Sequence, residues 1–417
     1  MREIFAHVAA QQTRLSALSA WPTIRAMQTR SAAETAPTGP EAADRDSRNA
    51  AIALATTLPS DVVLYLLFPV HGAAWGITLA EAGILLAANR LVRIAGYGWV
   101  ARLYARYGDR RVCTLAVAAA AVGALGNATL GGFWLLLPLR LLWGMAFAAL
   151  NLSTQVLATS SAAGASARSG RSRAFIALGP VIALPAAAAL SALAGPRWVL
   201  GALSLVALAG LWPARTLPAR PHPGMGAVRA KPSRPNALDT WSFVEGFALD
   251  GLFLIGLTVL GQQLWPSSAL TAAAVLLAVR YGSEIVLGPV GGRWAERWGA
   301  ERLLVVFSLM TAMALVGFGT GWLWSCAAAI VVLRALQLPL LAPIVALRHP
   351  GADRVRALAA RSVWRDIGAG LGPLVAGLWL PVLPTSWLYG LPAVVLAAAA
   401  LACAQGAATR ARPAGRR

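Results

Sequence analysis

Residues 85–90 read Leu85-Leu86-Ala87-Ala88-Asn89-Arg90, and residues 275–280 read Val275-Leu276-Leu277-Ala278-Val279-Arg280, an apolar run closed by one arginine and repeated at an offset of 190. Each arginine lies inside a longer apolar stretch, and each follows a tryptophan by 15 residues, Trp75 before Arg90 and Trp265 before Arg280. Around them the chain is a succession of apolar runs of about twenty residues, long enough to cross ~30 Å of hydrocarbon as helix. Lipid offers no partners to open backbone groups, which leaves helices or a closed barrel. The runs are continuous and do not alternate, so they are helices.

Composition agrees. Of 417 residues, 58% are apolar and 12% charged, about half the charge of a soluble chain. The runs give helices over 50–70, 79–101, 112–130, 133–157, 173–194 and 198–214, then 241–263, 268–291, 302–320, 322–347, 359–381 and 385–404. The formal net charge of +20 sits in the short connections, which argues for a topology signal and against nucleic acid. In and beside the second, fourth, sixth, eighth and tenth loops stand four, three, five, three and four Lys or Arg, whereas the odd loops hold only Arg197. Basic loops stay inside, so both termini are expected in the cytoplasm and the helix count must be even. Cys113, Cys326 and Cys403 are scattered in apolar segments and read as core residues, and no histidine falls at a helix centre; neither metal nor cofactor is expected.

The repeat extends beyond the opening hexapeptides. Asp61 to Gly72 spans 11 residues, as does Asp250 to Gly261, Gly108 answers Gly299, and Gly179-Pro180 answers Gly372-Pro373. The expected fold is therefore an all-α integral membrane protein of twelve transmembrane helices in two pseudo-symmetric six-helix bundles. Its parts are a disordered, arginine-biased tail at 1–47, bundles at 48–214 and 238–405, a polar cytoplasmic linker at 215–237 and a basic tail at 406–417. The arginine bias of the tail also resembles an organelle transit peptide, but arginine replaces lysine throughout the chain (Lys231 is its one lysine), the usage of a GC-rich bacterium. Bacterial cytoplasmic membrane is the expected location.

An ionised group at mid-bilayer costs several kcal/mol and needs a partner, water or a function. Asp61 lies about eleven residues, hence ~16 Å of rise, from the outer end of its helix, and Asp250 occupies the same depth in the seventh. Arg90 and Arg280 fall near the middles of helices 2 and 8, Arg140 and Arg334 within helices 4 and 10, and Glu284 one turn after Arg280. Glu245, Arg365 and Asp366 lie nearer the cytoplasmic ends of helices 7 and 11. On one reading the acids carry a proton that the arginines tune. On the other, Asp61–Arg90 and Asp250–Arg280 are fixed pairs between neighbouring helices, and Arg280–Glu284 is a pair one turn apart. Pro59, beside Thr56, Thr57 and Ser60, is expected to loosen helix 1 at the depth of Asp61. Asn151, Ser153, Thr154 and Gln155 make a polar patch in helix 4 that contacts either substrate or other helices. Trp322 and Trp324 fit an interfacial belt.

The loop Ala101-Arg102-Leu103-Tyr104-Ala105-Arg106-Tyr107-Gly108-Asp109-Arg110-Arg111 resembles the Gly-x-x-x-Asp-Arg-x-Gly signature of the major facilitator superfamily at Arg106, Gly108 and the basic end; Ala101 and Ala105 stand where that signature has its first glycine and its acid. Gly292, Glu296, Arg297 and Gly299 carry the same spacing in the second half. Arg140-Leu141-Leu142-Trp143-Gly144 is similar to the Arg-x-x-x-Gly motif of proton antiporters, and Gly368, Gly372, Pro373, Ala376 and Gly377 to the antiporter glycine motif, here in helix 11. The resemblance covers nearly all of residues 48–405. It implies that helices 1, 4, 7 and 10 line a central cavity, with Asp61, Arg140 and Asp250 as proton-coupling candidates and Asn151, Gln155, Glu245 and Arg334 beside them as substrate candidates. It implies gating or latch roles for Arg90, Arg93, Arg106, Gly108, Arg280 and Glu284, and likewise for Glu296, Arg297, Gly299, Arg365 and Asp366.

The function expected from that resemblance is proton-coupled efflux of a small organic molecule by alternating access, in a monomer whose partners are substrate, protons and lipid. The alternative within the fold is proton-coupled uptake of an organic anion, with Arg140 and Arg334 as carboxylate clamps. A non-transporting membrane receptor or scaffold is the alternative of another class. An acyltransferase would need a base and nucleophile at a helix end, for which His349 and Asp353 are the nearest candidates.

Overall fold

A computed structural model describes residues 39–220, 235–257, 269–351, 353–379 and 382–411. Among these residues every regular element is helical. Most of the expected tail, residues 1–38, and most of the linker, 221–234, lie outside them, as do Trp265 and Gly261 of the repeat. From Pro40 on, the described tail residues are helix: the first helix begins there, inside the expected tail, and the last runs to Ala411. Proline at the first position explains the early start, since its missing N–H is one no helix uses there.

Among the described residues ten helices are long and apolar enough to cross a membrane. One of them, Leu79–Thr129, has 51 residues, about 75 Å of straight helix and more than twice the hydrocarbon thickness. It is two spans folded at Gly108, whose φ of 72° and ψ of 173° suit a residue without Cβ. Asp353–Trp379 has the length of a span but carries Arg354, Arg356, Arg361, Arg365 and Asp366. With it the spans number twelve, in two six-helix halves. In order the others are Pro40–Phe68, Phe133–Ala158, Ala165–Ala194 and Pro196–Arg215 in the first half, then Ala237–Leu257, Ala274–Trp298, Ala300–Gly319, Leu323–Arg348 and Thr385–Ala404 in the second.

The surface is that of a lipid-facing protein. Leu115, Ile182, Leu193, Val286 and Val394 are all more than 60% exposed, a display that water would not tolerate over so many helices. Trp134, Trp198, Trp322, Trp324 and Trp387 are exposed near the beginnings of the even-numbered spans, at one common level. Trp99, Trp212 and Trp298 are exposed at the opposite end, the two-belt arrangement of a bilayer protein.

Two helix irregularities mirror each other. The first span breaks between Thr57 and Pro59, because Pro59 has no N–H for the carbonyl of Ala55. Thr57 donates to the Ala53 and Leu54 carbonyls, and Ser60 to Thr57. The seventh span has no proline at this depth, yet widens to a π-helix over Gly246–Leu252. In both halves a glycine packs on the irregular stretch. A Cβ on Gly179 would strike the Ala55 carbonyl, and Cβ atoms on Gly368 and Gly372 would strike the carbonyls of Phe243 and Phe247. The Gly-Pro repeats thus seat the fifth span on the first and the eleventh on the seventh.

Candidate functional site

A cavity of about 190 Å³ lies between the halves, walled by the first, second, fourth and fifth spans on one side and the seventh, eighth, tenth and eleventh on the other. Two charge clusters face it. In the first half Asp61, just past the Pro59 break, accepts from Arg140 at 2.6 Å and from Asn89 Nδ2 at 2.8 Å, with Arg93 at 3.9 Å. Arg93 donates to Asn89 Oδ1 at 2.8 Å and lies 3.9 Å from the Phe147 ring centroid, a cation–π contact. In the second half Asp250, inside the π-helix, takes Arg334 at 2.6 Å together with Arg280 and Arg365. Arg334 also reaches Glu284 at 2.5 Å, and Arg365 reaches Glu245 at 3.1 Å. All four acids are at most 8% exposed. Such burial is tolerated because every carboxylate has a guanidinium partner and the geometry satisfies several lone pairs at once.

The pairing differs from the sequence expectation in two places. Arg90 does not take Asp61; its Nε points to the Tyr65 hydroxyl at 3.5 Å, and Arg140 from the fourth span holds the carboxylate instead. Glu284 is bonded by Arg334 rather than by Arg280 one turn earlier. The expected Asp250–Arg280 pair is present, in a larger network. Asn151 donates to the Tyr97 hydroxyl at 3.4 Å, and Gln155 reaches Ser362 across the halves at 3.5 Å, so the polar patch is in part an interhelical contact.

Contacts between the halves gather at the end where the first span starts and the last one finishes. Arg93 meets Asp366 at 3.8 Å, Arg354 donates to the Thr159 carbonyl at 2.5 Å, and Glu296 accepts the Ala167 N–H at 3.0 Å. Cβ atoms on Gly170 and Gly292 would strike the carbonyls of Gly288 and Ser166, so backbones touch here. Arg297 is exposed, Arg106 lies against the Tyr107 ring, and Gly299 (φ 87°) caps the turn into the ninth span. Gly108 serves packing as well as folding: a Cβ would meet the Arg220 carbonyl at 2.6 Å, and Arg110 bonds the Leu217 and Pro218 carbonyls. The start of the central linker is thereby docked on this loop.

Cavity residues such as Arg173 and Arg361 were absent from the candidates, and so were two buried polar residues behind the site. Asn89 bridges Asp61 to Arg93, and Asp109 is fully buried, accepting from Ser153 at 2.8 Å. Each stood in a quoted motif, and neither an amide nor an acid in a basic loop is rare enough to be singled out. His349 and Asp353 border a separate cavity of about 470 Å³, with Arg348, Arg356 and Arg361 in its wall.

Twelve spans in two repeated halves, closed over an ion-paired cavity, define a polytopic membrane protein of the secondary-transporter class. Family comparison matches residues 50–264 to the Major Facilitator Superfamily, just over half of the chain, and the chain belongs to that family. Its fold is shared with the human organic anion transporter MFSD10 (TETRAN) at TM-score 0.71 and 16% identity, over 88% of this chain and 100% of that one. It is likewise shared with the proton:xylose symporter XylE, bound to 6-bromo-6-deoxy-D-glucose, at TM-score 0.66 and 11% identity, over 88% and 95%. No curated protein matches the sequence. Membership assigns transport of small solutes across a membrane and points away from an enzyme.

Proposed function

We propose that the chain moves a small organic solute through the central cavity by alternating access, coupled to protons, in a bacterial cytoplasmic membrane with both termini inside. One observation carries this reading: Asp61 and Asp250 stand at matching depths, each beside a helix irregularity and each shared among guanidiniums from other spans. Arg93 stands between Asp61 of its own half and Asp366 of the other, so parting the halves frees this guanidinium to shift between the two carboxylates and changes the positive charge that Asp61 shares with a proton. Loading and unloading a proton is then tied to the motion that moves the solute. Asp250 has three such partners and stands as the second candidate, while the Arg93–Asp366 and Glu296–Ala167 contacts are of the kind that part when the terminal end opens.

The likeness of Arg140-Leu141-Leu142-Trp143-Gly144 to the antiporter motif favours export by proton exchange. Uptake of an organic anion is the second reading, favoured by the predominance of arginine in the cavity wall. In proteoliposomes with an entrapped pH dye, addition of a transported solute evokes proton movement in the wild type and none in Asp61→Asn. Undiminished proton movement in that variant clears Asp61. Right-side-out and inverted vesicles separate export from uptake.

A further inference from the structure

The charges of the cavity do not balance, and the imbalance is localised. Five carboxylates stand in or against it, Asp61, Glu245, Asp250, Glu284 and Asp366, and five arginines answer them, Arg93, Arg140, Arg280, Arg334 and Arg365. Three further arginines line the same space, Arg90, Arg173 and Arg361, the last standing between this cavity and the one beside His349. Among the described residues none of the three has a carboxylate at ion-pair distance. Arg90 has the 3.5 Å approach to the Tyr65 hydroxyl and lies 5.9 Å from the centroid of the same ring, both uncharged partners. Arg361 donates one nitrogen to Ser242 Oγ at 2.8 Å and leaves its buried Nε without an acceptor, although the residue is 5% exposed. Arg173 makes no hydrogen bond among the described residues.

A guanidinium does not shed its proton in a protein, so this surplus persists inside a cavity walled by membrane spans, where unpaired charge is costly. It calls for anionic charge from outside the chain. Guanidinium forks match groups with two or more anionic oxygens. Arg90 and Arg173 belong to the first half and Arg361 to the second, so a ligand with charge at both ends would join the halves. The volume, about 190 Å³, is below the ~300–1,000 Å³ of drug-sized pockets. Leu58, Leu277 and Leu338 in the wall give such a ligand's carbon skeleton an apolar bed.

We propose that Arg90, Arg173 and Arg361 form the recognition site for a small multivalent organic anion, carrying two or more carboxylates or a phosphomonoester. This deepens the transport reading and rests on the cavity being the solute site. The anion neutralises the three guanidiniums, so it binds best where all three face one space and is released as the halves part.

The test is thermal unfolding of the full chain in detergent, at matched ionic strength, with succinate, citrate and glycerol 3-phosphate as probes and acetate and glucose as comparisons. At least one multivalent probe raises the melting temperature in a saturable way, and acetate and glucose do not. Stabilisation by the carboxylates alone or by the phosphate alone each supports the site and tells the two chemistries apart. Replacing Arg90, Arg173 and Arg361 together by Gln raises half-saturation at least about tenfold. Without probe, Arg361→Gln melts higher than the wild type because an unneutralised buried charge has gone, whereas a purely structural arginine would melt lower. Absence of any multivalent effect, equal effects of acetate or glucose, or equal loss in the exposed Arg111→Gln variant overturns the proposal. Binding without flux in proteoliposomes would fail the transport reading and leave this site standing; counterflow of a neutral sugar would do the reverse.

Discussion

Asp61 is 5% exposed and Arg140 1%, so neither can lose the other and turn to water. Replacing Asp61 by Asn leaves a buried guanidinium facing an amide, and breaking such a pair destabilises by about 3–5 kcal/mol. Replacing Arg140 by Gln as well removes the stranded charge. The double variant Asp61→Asn/Arg140→Gln is therefore expected to recover roughly 1–3 kcal/mol over the single one, read as melting temperatures in detergent; strict additivity would mean that the pair is not coupled. Both charges were legible in the sequence because an ionised residue in an apolar run is conspicuous. Their partnership was not. Sequence gives depth along a helix axis, but which face turns to which neighbour depends on tertiary packing, and so Arg90, at a plausible depth for Asp61, points instead to Tyr65. Asn89 escaped notice for a related reason: an amide is cheaper to bury than a charge and stands out less.

At the scale of elements, glycines decide how closely spans approach the opened helices. Gly179 packs on the carbonyl that Pro59 leaves without a donor, and even one added methyl must push the fifth span off the first. Gly201, in the sixth span, has nothing within 4 Å of where a Cβ would stand. Gly179→Ala is thus expected to destabilise by about 1–3 kcal/mol through overpacking. Gly201→Ala is expected to be neutral or stabilising by up to ~1 kcal/mol, since alanine is the better helix former. Thermal unfolding of the two variants side by side checks the difference in sign. The Pro59 break was readable, because proline forces it wherever it stands inside a helix. The π-helix around Asp250 was not, because no residue type compels one; it coincides with the close packing of Gly368 and Gly372 against the seventh span. The fold at Gly108 was readable as a boundary between two runs, but the docking of residues 217–220 on it pairs stretches more than a hundred residues apart and left no local mark.

For the molecule as a whole, apolar runs and one-sided basic loops sufficed to foresee twelve spans in two halves, since bilayer thickness constrains the first and the twofold repeat the second. Which end of the cavity is closed depends on contacts between halves, and those are visible only in three dimensions. Here the terminal end is sealed by backbone meeting backbone, Gly170 on Gly288 and Gly292 on Ser166, with Glu296 fastening the start of the fifth span. A bulky side chain at Gly170 cannot be housed without parting the fifth and eighth spans. In a background with Cys113, Cys326 and Cys403 replaced by Ser, a cysteine at Ser172, which lines the cavity and is 4% exposed, reports that opening. Gly170→Leu is expected to speed its labelling by a membrane-impermeant maleimide several-fold from the terminal side and to abolish net transport, because a protein wedged open on one side cannot complete the exchange of access. Unaltered labelling together with unaltered transport would mean that the two halves do not hinge on this glycine contact.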